Sequence, residues 1–328
     1  MKNLLKNQII IDGLEYCNWN RELLENLWNG GITAVHVTLV YWENTEEAFK
    51  KITNIEQLIQ NNQDIICQAK TTQDILNAKK DNKVAFIFGF QNSAPINNNI
   101  FLVEEFFNKG LRFMQLTYNN QTPLAGGCFE LKDSGVSRFG KEVIEEMNRL
   151  GMIIDLSHAG RNSMLDAIEF STKPVAISHA NPSFFHESLR NIDDDVLKKL
   201  SEKKGFIGLS MYPYHIKNLG NCKIEEYCFM IKKLINLIGS DNIGIGSDLC
   251  LNWPDEVVMW MRNGYWTKKV DYGESKDKNV KWPKQPEWYQ KPSDILNIFE
   301  AMCQNGVNEE IAIKIIGSNW FNFMKNHF

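Results

Sequence analysis

GKEVIEEMNRLGMIIDLSH, residues 140–158, reads as one helix-then-strand unit. Gly140–Leu150 is an amphipathic helical pattern, and Met152–Leu156 is a short apolar run that ends in Asp155, Ser157 and His158. The same unit repeats in both directions. Strands are expected at Gln8–Asp12, Ala34–Thr38, Lys83–Phe90, Arg112–Thr117, Met152–Leu156, Pro174–Ser178, Phe206–Ser210 and Asn242–Gly246. Their β-branched and aromatic content, without strict alternation, suits strands buried on both faces. Amphipathic stretches lie between them at Arg21–Trp28, Thr45–Gln60, Thr71–Lys80, Ile100–Asn108, Ser163–Phe170, Asp193–Glu202 and Glu225–Ile238. Strands that alternate with helices in this way predict an α/β fold, a single-domain (β/α)8 TIM-type barrel over residues 1–328.

The remainder is a long stretch after the eighth strand and a closing helical region. Residues 252–292 are dense in Trp, Lys, Pro and Asp, and the barrel would place them on its catalytic face, as a solvated flap or a substrate lid. Trp253, Trp260 and Trp266 there would pack locally, in a lid or in a dimer contact. Ser293–Gln304 and Asn308–Ile316 read as helices, with Gly317 as a C-cap before a terminal Asn319–Lys325 segment.

Composition narrows the function. Lys and Arg number 36 against 40 Asp and Glu, a net charge of −4, so the clustered cationic excess that binds nucleic acid or an anionic membrane is missing. No apolar run approaches the ~20 residues of a membrane span. The first twelve residues hold no signal-like apolar segment, and seven scattered cysteines make no CxxC pair, so a cytoplasmic protein with reduced thiols is expected. Neither a Walker pattern nor GxGxxG occurs, which argues against nucleotide cofactors.

In a barrel the reactive groups sit at the C-terminal ends of strands. Three such ends read Asp155-Leu156-Ser157-His158, Ser178-His179 and Gly246-Ser247-Asp248. Two imidazoles and a carboxylate would converge on one pocket, where neutral histidines bind zinc and the acid accepts a proton from water. Asn119, Asn120 and Gln121 form a further cluster of uncharged hydrogen-bonding groups. His36 lies within a strand pattern with its direction open, while His186, His215 and His327 read as loop or terminal residues.

Residues 140–158, with Ser178-His179-Ala180-Asn181, Leu189-Arg190-Asn191-Ile192-Asp193-Asp194-Asp195 and Gly244-Ile245-Gly246-Ser247-Asp248, resemble the membrane (renal) dipeptidase family of amidohydrolase-like zinc peptidases. The resemblance runs in order over nearly the whole chain. It implies a metal-dependent barrel that hydrolyses dipeptides at a two-zinc centre, commonly as a homodimer. It further implies that His158 and His179 are ligands of the second zinc, that Arg190 lies near the substrate carboxylate, and that Asp248 lies near the catalytic water.

This chain departs from the family's pattern at its other ligands. Where the family carries Asp-Gly-His-x-Asp, the sequence is Asp12-Gly13-Leu14-Glu15-Tyr16, so both ligands of the first zinc are replaced. Leucine has no lone pair, and a phenol with a pKa of about 10 substitutes poorly for a carboxylate. The family's bridging glutamate corresponds to Gln91, and its substrate-contacting histidine to Tyr118. Glu15 and Tyr16 are the candidates to compensate. On a regular strand end Glu15 points away from the barrel axis, and a bulge would re-aim it. What remains is Gln91, His158 and His179, a three-ligand set for at most one zinc ion with an open position. The expected activity is hydrolysis of a C–N bond in a small carboxylate-bearing molecule, with Arg190, Tyr118 and Asn119 as substrate contacts and Asp248 as the proton carrier. A metal-free enzyme of other chemistry and a non-catalytic binding homologue stay open as alternatives.

Overall fold

The computed structural model describes residues 5–265, 268–275 and 280–328. Its centre is a closed parallel barrel of strands β1 (Ile11–Cys17), β2 (Ala34–Val40), β4 (Val84–Phe90), β5 (Leu111–Gln115), β6 (Ile153–Asp155), β7 (Ala176–Ala180), β8 (Phe206–Leu209) and β9 (Ile243–Ile245). Closure comes where Asp12 of β1 pairs with Ile245 of β9. Two three-residue strands lie off this ring: β3 (Ile66–Gln68) extends the sheet beside the start of β4, and β10 (Leu249–Leu251) pairs the end of β1.

The helix Arg138–Leu150 shows why the local sequence folds as it does. The Ser137 side chain accepts from the Gly140 amide at its start, Gly151 ends it with a left-handed φ of +85°, and Val143, Ile144 and Met147 are buried. Helices of this kind surround the barrel, and one core fills the space between them and the strands. Inside the barrel, the N-terminal mouth is plugged by the C-terminal segment. Trp320 is fully buried among Ile11, Phe113 and Phe206, and its indole N–H donates to the Ile245 carbonyl at 2.6 Å. The opposite mouth carries an aromatic layer of Tyr16, Tyr41, Trp42, Tyr118, Tyr212 and Tyr272.

Three local expectations are corrected. The first strand is Ile11–Cys17, not Gln8–Asp12, so the Asp12–Tyr16 motif lies within it. β3 and β10 have no counterpart among the expected strands. Gly317 is not a C-cap: it lies inside a π-helical turn, Lys314–Ser318, with helix continuing after it. A Cβ there would fall 1.8 Å from the Ile9 carbonyl oxygen, so close passage of the N-terminal chain requires the glycine. The segment after β10 contains a helix at Asp255–Asn263. No described helix is long and apolar enough to cross a membrane.

Candidate active site

Asp155, at the end of β6, organises the polar floor of the barrel. Its carboxylate accepts from the Ser157 amide and hydroxyl at 3.1 and 2.6 Å, from the Ser178 amide and hydroxyl at 2.9 and 2.5 Å, and from Gln115 Nε2 at 2.8 Å. These bonds fix the turn that carries His158 and the strand that carries His179.

The tautomers of both histidines follow from their neighbours. Asn119 Nδ2 donates to the Tyr272 carbonyl at 2.7 Å, so its Oδ1 faces His158 Nδ1 at 2.6 Å and accepts from it. The Ser178 hydroxyl spends its proton on Asp155 and therefore accepts from His179 Nδ1 at 2.8 Å. Each imidazole then presents a lone pair at Nε2. Those two atoms lie 3.0 Å apart, and Gln91 Oε1 lies 3.0 Å from His158 Nε2. The Gln91 amide is oriented by donation from Nε2 to Thr38 Oγ1 at 2.8 Å and to the Tyr41 hydroxyl at 3.0 Å. Burial, and after it the charge of Arg190, holds both imidazole pKa values well below the ordinary histidine range, so both rings are neutral at pH 7.

Three lone-pair atoms that converge without a proton between them repel one another unless a positive group sits among them. The donor set therefore fits one divalent cation, with ring orientation enforced by outer hydrogen bonds as metal sites require. Among the described residues no group of three His, Cys, Asp or Glu side chains could hold a metal, so such a site depends on the amide oxygen of Gln91. All three donors are neutral. Arg190 also weakens the site electrostatically: its guanidinium, fully buried, lies 3.4 Å from His158 Nε2 while donating to the carbonyls of Ser157 and His179. Its Nε has no partner among the described residues.

Nothing comparable forms on the β1 side. Leu14 is buried, and Tyr16 stacks on Trp253 at 4.8 Å and meets Tyr41 edge-on at 4.7 Å. A register shift does occur between Asp12 and Glu15, yet the Glu15 carboxyl ends beside Cys17 Sγ at 3.7 Å and away from the cavity. Neither candidate compensator reaches His158 and His179. Trp260 packs 6.1 Å from the ring of Tyr41, and Trp266 lies outside the described residues.

A cavity of about 400 Å3 opens above His158, with Gln91, Tyr118, Asn119, His158, Arg190 and Asp248 in its lining; His179 is fully buried behind His158. Asp248 adopts a left-handed φ of 57°, which Asp tolerates better than most residues, and its amide donates to the Leu14 carbonyl at 3.0 Å. Burial, opposed by Arg190, raises its pKa well above the ordinary aspartate value. Tyr118 lies against His158 with ring centroids 4.3 Å apart.

An ordered match accompanies this geometry: the family model for membrane dipeptidases (peptidase family M19) fits residues 8–254. The chain belongs to the membrane dipeptidase family. Within it, the chain is 25% identical over 283 residues to a dipeptidase of Claviceps purpurea, a match covering 85% of this chain and 60% of that one. It is 32% identical over 176 residues to an uncharacterised dipeptidase of Schizosaccharomyces pombe, covering 52% and 42%. This membrane dipeptidase family chain thus matches 42 to 60% of the length of those curated relatives. A solved amidohydrolase from Pseudomonas aeruginosa superposes with a TM-score of 0.94 at 32% identity, over 99% of this chain and 98% of that one.

Among the cavity residues that escaped the sequence reading are His215 and Glu274. His215, expected as a loop residue, is buried: its Nε2 lies 2.8 Å from Glu274 Oε1 and its Nδ1 2.8 Å from Ser210 Oγ. It follows β8 by six residues, so extending the strand-end rule to the whole βα loop would have reached it. Glu274 comes from the polar segment after β10, where no periodicity marks it. His36, whose direction was open, points into the barrel. It bonds the Gly13 carbonyl at 2.7 Å and stacks on Phe113 at 4.2 Å, a packing position below the cavity. Asn120 and Gln121 bond carbonyls of their own loop and do not line the cavity.

Proposed function

We propose that this chain hydrolyses a C–N bond, amide or peptide, in a small carboxylate-bearing molecule, with at most one metal ion held by His158, His179 and Gln91. The observation that carries the reading is the convergence of three oriented lone pairs beside a buried arginine and a buried aspartate, at the floor of a cavity of small-molecule size. When bound, a divalent cation there would supply electrophilic stabilisation of charge on the carbonyl oxygen.

The chain's own residues do the rest. Arg190 receives the substrate carboxylate and fixes which bond faces the water. Asp248 takes a proton from the attacking water as the C–O bond forms, then passes it to the nitrogen as the C–N bond breaks. A carboxyl whose pKa is raised by burial suits both steps near neutral pH. Asn119 and Ser178 keep the two imidazoles in one tautomer throughout.

The test combines metal analysis of protein purified without chelators with amine release from dipeptides and N-acyl amino acids, with and without added zinc. Turnover with no more than one metal equivalent, abolished in Asp248→Asn and in His179→Ala while circular dichroism stays unchanged, is expected. Two equivalents would overturn the single-site reading, and no amine release under any condition would overturn hydrolysis.

A further inference from the structure

The orientation of Asn119, and through it the tautomer of His158, depends on a residue 153 positions further along the chain. The two ends of a carboxamide have nearly the same shape, so what each can bond decides which one faces a neighbour. The Tyr272 carbonyl only accepts, and it takes Asn119 Nδ2 at 2.7 Å; Oδ1 is thereby turned to His158 Nδ1 at 2.6 Å. The Cys128 thiol, 3.4 Å from the same oxygen, is a weak donor and adds little to that preference. Without the carbonyl the reversed amide becomes available. Nδ2 would then donate to His158 Nδ1, the ring proton would move to Nε2, and the lone pair facing Gln91 and His179 would be gone.

Arg262, in the last turn of the helix Asp255–Asn263, holds the Tyr272 carbonyl in place. Its guanidinium donates from Nε to Asp271 Oδ1 at 2.8 Å, from Nη2 to Asp271 Oδ2, and from Nη2 again to the Ser275 carbonyl at 2.8 Å. Its own carbonyl accepts from the Tyr272 amide at 2.9 Å. Asp271 Oδ1 also accepts from the Gly273 amide at 2.8 Å, and a Cβ on Gly273 would fall 2.5 Å from Arg262 Nε. Residues 271–275 are thus wrapped around one side chain that is 11% exposed. The far end of Tyr272 is tied as well, its hydroxyl donating to Glu130 Oε1 at 3.2 Å.

We propose that Arg262 is a positioning residue for His158: by clamping residues 271–275 it keeps the Tyr272 carbonyl on Asn119, and so keeps the His158 proton on Nδ1. The bonds run from Arg262 through Asp271 and Tyr272 to Asn119 and His158. The tautomer stands apart from any metal, while its consequence for zinc rests on the proposed site of His158, His179 and Gln91. Zinc and the clamp favour the same amide orientation, so each strengthens the other by the same factor.

Competitive zinc titration of the metal-stripped full chain, with Asn119 in place and in Asn119→Asp, tests the clamp. An ionised carboxylate accepts at either oxygen, so in Asn119→Asp the tautomer no longer depends on Tyr272. Arg262→Ala should weaken zinc binding about tenfold with Asn119 in place and leave it unchanged in Asn119→Asp, whereas a merely structural role would weaken both alike. Asp271→Asn, at a side chain 44% exposed, loosens the same clamp with less risk to the fold and should repeat the pattern. Equal losses in the two backgrounds, or no loss in either, would overturn the proposal. Nitrogen NMR of histidine-labelled, metal-free protein reads the tautomer directly and separates the clamp from the metal site. A His158 proton on Nδ1 in the native chain that shifts toward Nε2 in Asp271→Asn supports the clamp even where no zinc binds, an outcome that would overturn the metal site alone. A tautomer that is the same in both proteins would overturn the clamp.

Discussion

Gln91→Glu puts back a negative charge where the neutral donor set most lacks one. Gln91 Oε1 lies 3.0 Å from His158 Nε2, so a carboxylate in the same rotamer would place an anionic oxygen among the two imidazole lone pairs. The second carboxylate oxygen would replace Nε2, which now donates to Thr38 Oγ1 and Tyr41. Both partners are hydroxyls and can turn to donate instead, so no buried polar atom need be orphaned. At an effective dielectric of about 20, opposite unit charges about 4 Å apart attract by about 4 kcal/mol, and a divalent ion doubles that. Burying the carboxylate takes back several kcal/mol. Its attraction to Arg190 also stabilises the metal-free state, since that guanidinium lies 3.4 Å from His158 Nε2. The remainder is of order 1–3 kcal/mol, which corresponds to roughly five- to 150-fold tighter zinc binding. Competitive titration of metal-stripped protein against a chromogenic chelator measures it directly. Unchanged or weaker zinc affinity in a folded Gln91→Glu variant would refute the assignment of these three atoms to a cation.

Asn119→Leu removes the acceptor that holds His158 in its Nε2 lone-pair tautomer; zinc affinity in the same titration should fall about 10- to 100-fold. Glu15 is buried, one of its oxygens has no partner among the described residues, and burial together with nearby Asp12 raises its pKa well above the ordinary value. The folded state therefore holds this proton more tightly than the unfolded one, and stability is lost as pH rises from the unfolded value of about 4.3 through the raised folded value; Tm measured against pH should decline over that window in the native chain, with a flatter profile in Glu15→Gln. Gly89→Ala would set a Cβ 1.7 Å from His36 Nε2 and drive the ring off Phe113 and the Gly13 carbonyl; about 2–4 kcal/mol of destabilisation is expected, and an unchanged thermal melt would contradict the inward placement of His36.

The barrel was legible because most of its strands are short apolar runs between amphipathic helices, and that alternation is a local property. It failed where local character and tertiary role diverge. The expected first strand stops at Asp12, because Gly13 and Glu15 beyond it do not continue an apolar run. They are tolerated inside β1 for reasons far away in sequence. Asp12 accepts from Ser247 N at 2.8 Å and from the Tyr289 hydroxyl at 3.1 Å, and Gly13 leaves room for the Trp320 ring. Gly317 misled for the same reason, since the Ile9 carbonyl that requires it comes from the other end of the chain. β3 and β10, at three residues each, are too short to show any period.

The site divides along a similar line. Strand-end reading found His158, His179 and Asp248, because a barrel fixes where those positions point. It missed His215 and Glu274, whose place depends on how the loop after β8 and the segment after β10 fold back over the mouth. The replaced ligands are more instructive. Leu14, Tyr16 and Tyr118 read as losses when matched one position at a time against the family pattern. In the fold, Tyr16 and Tyr118 belong to a continuous wall in which Tyr41 meets Tyr16 at 4.7 Å and Tyr118 at 5.1 Å, and Trp42 meets Tyr118 at 5.3 Å. Each such contact is worth about 0.5–1.5 kcal/mol beyond burial. Removing a histidine and a carboxylate without refilling the space would have left a void or unsatisfied polar groups. Here Tyr16 fills the space behind the cavity, against Tyr41 and Trp253, and of the three replacements Tyr118 is the one that lines it, against His158.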